Sequence, residues 1–144
     1  MTRRIKGPRT KVPDYYEQGR LLRMLFPQFR PTTWKGHKAW IGRLQPDPGS
    51  DIYDVVIVYR GPKAPRVYVV LPDLGKCTHM YKEGHLCLFY PKDPGQRWEN
   101  DSIIARTIVP WTISWLHFHE LYQETDIWQG PEVKHGARDD RKVS

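Results

Sequence analysis

The rhythm of apolar positions changes twice along this chain, and each change predicts a different kind of element. After Pro13 and Asp14, the residues Tyr15, Leu21, Leu22, Leu25 and Phe26 make one buried helical stripe, and Asp14 with Glu17 has the spacing of a capping box. A first helix therefore runs from Asp14 to Phe26, where Pro27 and Pro31 end it. Residues 34–44 read as a linker entering a strand at Ala39-Trp40-Ile41-Gly42-Arg43-Leu44. The turn formers of 46–51 separate it from 53–59, a run rich in β-branched and aromatic residues, so the two make a hairpin. Gly61-Pro62-Lys63-Ala64-Pro65 turns the chain again into a third strand at 66–71. Short strands this close together imply an antiparallel meander of three to four strands.

From Pro72 to Trp98 periodicity fades, and the stretch carries both cysteines and several prolines. It reads as an ordered, extended active loop. Asn100 or Asp101 can cap a helix to about Thr107, and Pro110 suits the first turn of another that runs to about Glu124. On that last helix Trp111, Trp115, His119 and Tyr122 recur at helical spacing, which predicts core packing rather than a ligand platform. The fold class is α+β, in one domain, since 144 residues suffice for a single core.

Charge refines the boundaries. Arg3, Arg4, Lys6, Arg9 and Lys11 place five cations in residues 1–12, against a net +7 for the chain, so 1–12 is a basic flexible arm. Residues 13–131 form the domain and 132–144 a polar tail, expected to be frayed from Gly136 onward. The arm could meet nucleic acid or an acidic partner, but Tyr53, Tyr59, Trp111 and Trp115 sit in core-like patterns instead of alternating with cations, which argues against a nucleic-acid surface. No stretch approaches the roughly 20 apolar residues of a membrane span, and no apolar run follows Met1-Thr2-Arg3-Arg4 to make a secretory signal. Two cysteines make no disulfide framework, so a reducing cytoplasm is expected.

Helix, meander, extended loop and C-terminal helices resemble the ubiquitin-conjugating (UBC) fold over roughly residues 14–125. Gly84-His85-Leu86-Cys87-Leu88 is similar to that family's Gly-x-Ile-Cys-Leu active-site run, and 61–68 to its proline-punctuated approach to the third strand. Trp98 resembles the tryptophan that follows the cysteine, across a longer gap that holds Pro91-Lys92-Asp93-Pro94-Gly95. Where the family has His-Pro-Asn, this chain has His79-Met80-Tyr81. The resemblance implies an acceptor thiol at Cys87 and a supporting role for His79. The family's asparagine, which supports the loop and the oxyanion, is replaced, and Tyr81 can offer a hydroxyl donor in its stead. The Trp-rich last helix and His117-Phe118-His119-Glu120 look more like the bacterial ubiquitin-conjugating-like proteins of cyclic-oligonucleotide antiphage (CBASS) operons. That resemblance implies a cysteine thioester with the C-terminus of a cGAS-like nucleotidyltransferase, with or without a separate activating enzyme, and no cofactor.

The residues themselves leave alternatives open. The polar loop edge predicts Cys87 at a surface groove where its thiol can ionise. His85, two positions earlier, would share its strand face and act by charge or as a base. Cys77 reads as a packing residue. Cys77-x-His79 and His85-x-Cys87 also offer the ligand types of a structural zinc centre, although one intervening residue is fewer than the usual gap of about two to four. A non-catalytic binding module of the same fold is a further alternative. His117 and His119, two apart on a helix, do not share a face, so no joint site is expected there, and His119 reads as a satisfied buried histidine.

Overall fold

The computed structural model describes residues 11–75, 77–88, 97–131 and 142–143. Helix α1 spans Tyr15–Leu25 and starts on a reciprocal cap: the Glu17 amide donates to the Asp14 carboxylate at 2.9 Å, and the Asp14 amide donates to the Glu17 carboxylate at 3.0 Å. Leu22 and Gln18 are its buried residues, whereas Leu25, expected in the buried stripe, is 48% exposed. Gln18 lies on the inner face because it is a clamp. Its amide nitrogen donates to the Ser102 carbonyl at 3.0 Å and its oxygen accepts from the Ile104 amide at 2.9 Å.

Four antiparallel strands follow in sequential order: β1 (Arg30–Trp34), β2 (His37–Leu44), β3 (Tyr53–Val58) and β4 (Arg66–Leu71). The stretch read as a linker is in fact half of the β1–β2 hairpin. Lys35 and Gly36 have φ of 50° and 85°, the positive pair of a two-residue turn whose twist matches that of the strands. Pro31 is tolerated in β1 because this is an edge strand.

Both faces of the sheet are covered. Trp40, Leu44, Tyr53, Val55, Ile57 and Val67 face the main core, while Ala39, Val56 and Val58 are sheltered on the other side by Trp34, Ile41 and Tyr68. Helix α2 (Ile108–Thr125) closes the main core through Ile108, Thr112, Trp115, Leu116, His119 and Tyr122, a stripe of helical period. The helix expected from Asn100 or Asp101 is only a 3-10 turn at Ile104–Arg106, so among the described residues the C-terminal part holds one α-helix. Phe29 also enters this core, seated over Gly42, where a Cβ would come within 2.6 Å of the ring.

The last two strands are short. β5 (Met80–Tyr81) pairs antiparallel with β6 (Lys142–Val143), so part of the tail expected to be frayed is built into a ladder. The arm residues 1–10 and most of the tail lie outside the described residues, as do Pro91-Lys92-Asp93-Pro94-Gly95. Among the described residues no helix is long and apolar enough to cross a membrane.

Candidate functional site

The segment expected to be an extended loop folds back on itself between His79 and Cys87. Tyr81 donates its amide to the His85 carbonyl at 2.9 Å, and Cys87 donates to the His79 carbonyl at 2.9 Å, which frames an antiparallel bridge between Met80 and Leu86. Gly84, at φ 102°, closes the turn, where its amide donates to the Tyr81 carbonyl at 2.8 Å. The Leu86 amide then donates to the Val67 carbonyl at 2.9 Å, tying the hairpin to the outer edge of β4.

Alternation sorts the side chains. Leu86 enters the main core and Met80 packs against it, with the Cys77 thiol 3.9 Å from the Met80 sulfur. Burial pushes the Cys77 thiol pKa up, which suits its reading as a packing residue. Tyr81, His85 and Cys87 gather on the opposite face. The Tyr81 and His85 rings stack at 4.6 Å and 25°, and the Cys87 Sγ lies 3.5 Å from the Tyr81 hydroxyl. That hydroxyl can accept from the thiol, and can donate to the sulfur once its proton has gone. Because Cys77 and Cys87 lie on opposite faces, the four zinc-type ligands do not close on one point. Among the described residues no group of three or more His, Cys, Asp or Glu side chains is placed to hold a metal ion.

Two expectations change at this site. Cys87 is 5% exposed, so its thiol is covered and not open to a groove: a loop edge in sequence has become a hairpin face docked on the sheet and shielded by its neighbours. His85 has its pKa pushed down to about 4, by burial first and then by the positive charge of Arg66 and, less, Arg60. A ring that is neutral near pH 7 supplies no positive charge to a thiolate, and its role narrows to a weak proton acceptor and a stacking partner for Tyr81.

His79 contributes mainly through its backbone. Its φ of 61° places the carbonyl where it accepts from both the Cys87 amide and, at 3.1 Å, the indole N–H of Trp115. Its ring stacks on Trp128 at 4.3 Å, and Nδ1 lies 2.6 Å from the Thr78 hydroxyl. Trp115, Trp128, Tyr68 and Arg66 are site residues that the sequence reading missed. Tyr68 lies edge-on to His85 with ring centres 6.0 Å apart. For Arg66 a signal exists: it stands in the proline-punctuated run that leads into β4. Trp98 is placed by a bond from its indole to the Pro62 carbonyl at 2.9 Å. His117 pairs with Asp47 at 2.6 Å, whereas His119 stacks on Trp115, so the two do not share a site.

An N-terminal helix, a four-stranded antiparallel meander, a C-terminal helix and a cysteine hairpin on the outer sheet edge define an E2-like protein of the ubiquitin-conjugating class. The match is narrower than the class. The Type II CBASS E2 protein family matches residues 18–136, most of the chain, and this protein belongs to that family. No curated protein shows a significant sequence match to it.

Proposed function

We propose that Cys87 carries the C-terminus of a partner protein as a thioester, and that the partner is the cGAS-like nucleotidyltransferase of an antiphage operon in the bacterial cytoplasm. The sulfur attacks the carbonyl carbon of an activated C-terminus. A C–S bond forms, and the bond to the leaving group breaks, releasing AMP from an adenylate or a thiol from an upstream thioester. An acceptor amine then displaces the sulfur. Splitting one acyl transfer into two steps needs no metal and no cofactor. Tyr81 offers a donor for the sulfur as it leaves and for the oxyanion that develops beside it.

The observation that carries this reading is the contact between Cys87 and Tyr81 on a hairpin fixed to β4, in a chain of the CBASS E2 family. The buried sulfur sets a condition: acylation requires the side chains over it to shift. It also favours a second reading, a protein-binding module of the same fold that never acylates.

One experiment separates the two. The protein is incubated with the nucleotidyltransferase encoded beside it, ATP and any activating enzyme from the same operon. A thiol-sensitive adduct that disappears in Cys87→Ala supports the carrier. Binding with no adduct, or an adduct that survives Cys87→Ala, sinks it.

A further inference from the structure

A cavity of about 420 Å³ opens at the other end of α2, between the start of β3, the segment after β4 and the last turns of the helix. Its size falls within the ~300–1,000 Å³ of ligand sites. Four carboxylates line it: Asp51, Asp73, Glu120 and Glu124. Among the described residues only Glu120 is engaged by side chains, accepting from the Ser50 hydroxyl at 2.7 Å and the Tyr53 hydroxyl at 2.6 Å. Burial, and then that bond, raise the Tyr53 pKa, so the phenol stays a donor. None of the four carboxylates is ion-paired with a described cation. In a chain of net charge +7 this is a concentrated negative patch with no compensating ion pair among the described residues.

A second observation points the same way. His119 lines the cavity at 3% exposure, and its Nδ1 is buried without a hydrogen-bond partner, contrary to the satisfied histidine expected from sequence. The Leu74 backbone lies near enough to favour the charged ring but does not close a bond of normal geometry, and burial holds the ring neutral. The Gln123 amide nitrogen is 3.5 Å from Nε2, and the tautomer that accepts this contact carries its proton on Nδ1. The wall of the cavity therefore offers several carboxylates and one unspent donor.

The geometry points to a site for a basic peptide segment of a partner protein, with a lysine or arginine side chain among Asp51, Asp73 and Glu124 and a main-chain carbonyl on His119. An ammonium or guanidinium has donors and no acceptor, so the carboxylates take the side chain and the imidazole takes the backbone. His119 stacks on Trp115 at 5.1 Å and 11°, and Trp115 bonds to the His79 carbonyl, so a segment held here rests against the same wall that supports the cysteine hairpin. The site does not depend on acylation of Cys87.

The test is an amide and imidazole NMR titration of the full chain with acetyl-Lys-Gly-Lys-Gly-Lys-amide, with acetyl-Gln-Gly-Gln-Gly-Gln-amide as control. The lysine peptide is expected to shift Gly49, Leu74, Gln123 and the His119 ring, and the triple variant Asp51→Asn, Asp73→Asn, Glu124→Gln to weaken it about tenfold or more. Glu124→Gln alone is expected to weaken it several-fold, which keeps the test valid if the triple variant folds poorly. Equal shifts with the glutamine peptide, or undiminished binding by both variants, overturn the proposal. So does occupation by the chain's own arm, seen as the same shifts in reverse when residues 1–10 are removed. Cys87→Ala is expected to bind the peptide unchanged, and the carboxylate variants to keep the Cys87 adduct, so the two proposals fail independently.

Discussion

The indole N–H of Trp115 and the backbone amide of Cys87 share one acceptor, the carbonyl of His79, at 3.1 Å and 2.9 Å. The long helix and the cysteine hairpin are thus coupled through a single oxygen atom. Trp115→Phe keeps an aromatic ring, gives up part of the buried indole and removes one of these donors. A loss of at least about 1 kcal/mol in urea unfolding is expected, together with faster reaction of Cys87 with a thiol reagent in the native state. An unchanged rate would show that the indole bond does not restrain the hairpin.

The covered sulfur makes thiol access a sensitive readout. With Cys77 and Cys87 each 5% exposed, native protein should react with Ellman's reagent far more slowly than urea-unfolded protein, which titrates both thiols. Tyr81→Phe removes the hydroxyl beside Cys87 and leaves the ring stacked on His85. Native stability should fall by no more than ~1.5 kcal/mol, while the rate of Cys87 alkylation changes. Superimposable alkylation profiles for the two proteins would remove Tyr81 from any role at the sulfur.

His85 gives a pH signature. Its pKa falls from 6.5 to about 4 on folding, so between those values the unfolded chain binds more protons than the native one. Its contribution to stability is therefore complete above about pH 6.5 and is lost as the pH falls toward 4. Burial lowers the His119 pKa as well, in the same direction, so the comparison must be with His85→Gln and not with a pH-independent baseline. The variant should show a shallower loss of stability on acidification, and the His85 ring resonance in the parent should titrate near pH 4. A ring midpoint near 6.5 would contradict the assignment of a desolvated imidazole.

Gln18 tests the clamp between α1 and the 3-10 turn. Gln18→Leu fits the buried position but leaves the Ile104 amide and the Ser102 carbonyl without their partner. A destabilisation of about 1–3 kcal/mol is expected, measured by chemical unfolding. A neutral effect would mean that both backbone groups find other partners.

Much of this architecture was readable where the information is local. The Asp14 and Glu17 cap, the β-branched run of β3 and the stripe on α2 are short-range patterns, and each became the element it predicted. The β1–β2 hairpin was missed because Lys35-Gly36 is a less familiar positive-φ pair and Pro31 reads as a terminator unless the strand is known to lie at an edge. Leu25 is exposed because Gln18 and Leu22, not the leucine, face the core, and a polar clamp cannot be told from a surface glutamine by periodicity. At the site, His85 and Cys87 were legible as residues two apart on one strand face, whereas Tyr81 was marked only by its place in the family resemblance. The cover over the sulfur and the indole on the His79 carbonyl depend on contacts distant in sequence, and no motif encodes them.

The ring contacts behind the cysteine hairpin also make the protein its own optical probe. Two of its six tryptophans, Trp128 and Trp115, lie in face contact with the imidazoles of His79 and His119. Imidazole at that range dims indole emission, most strongly when it carries a proton. Any event at the sulfur or beside α2 that alters these two ring contacts is therefore read out in the indole emission without a label.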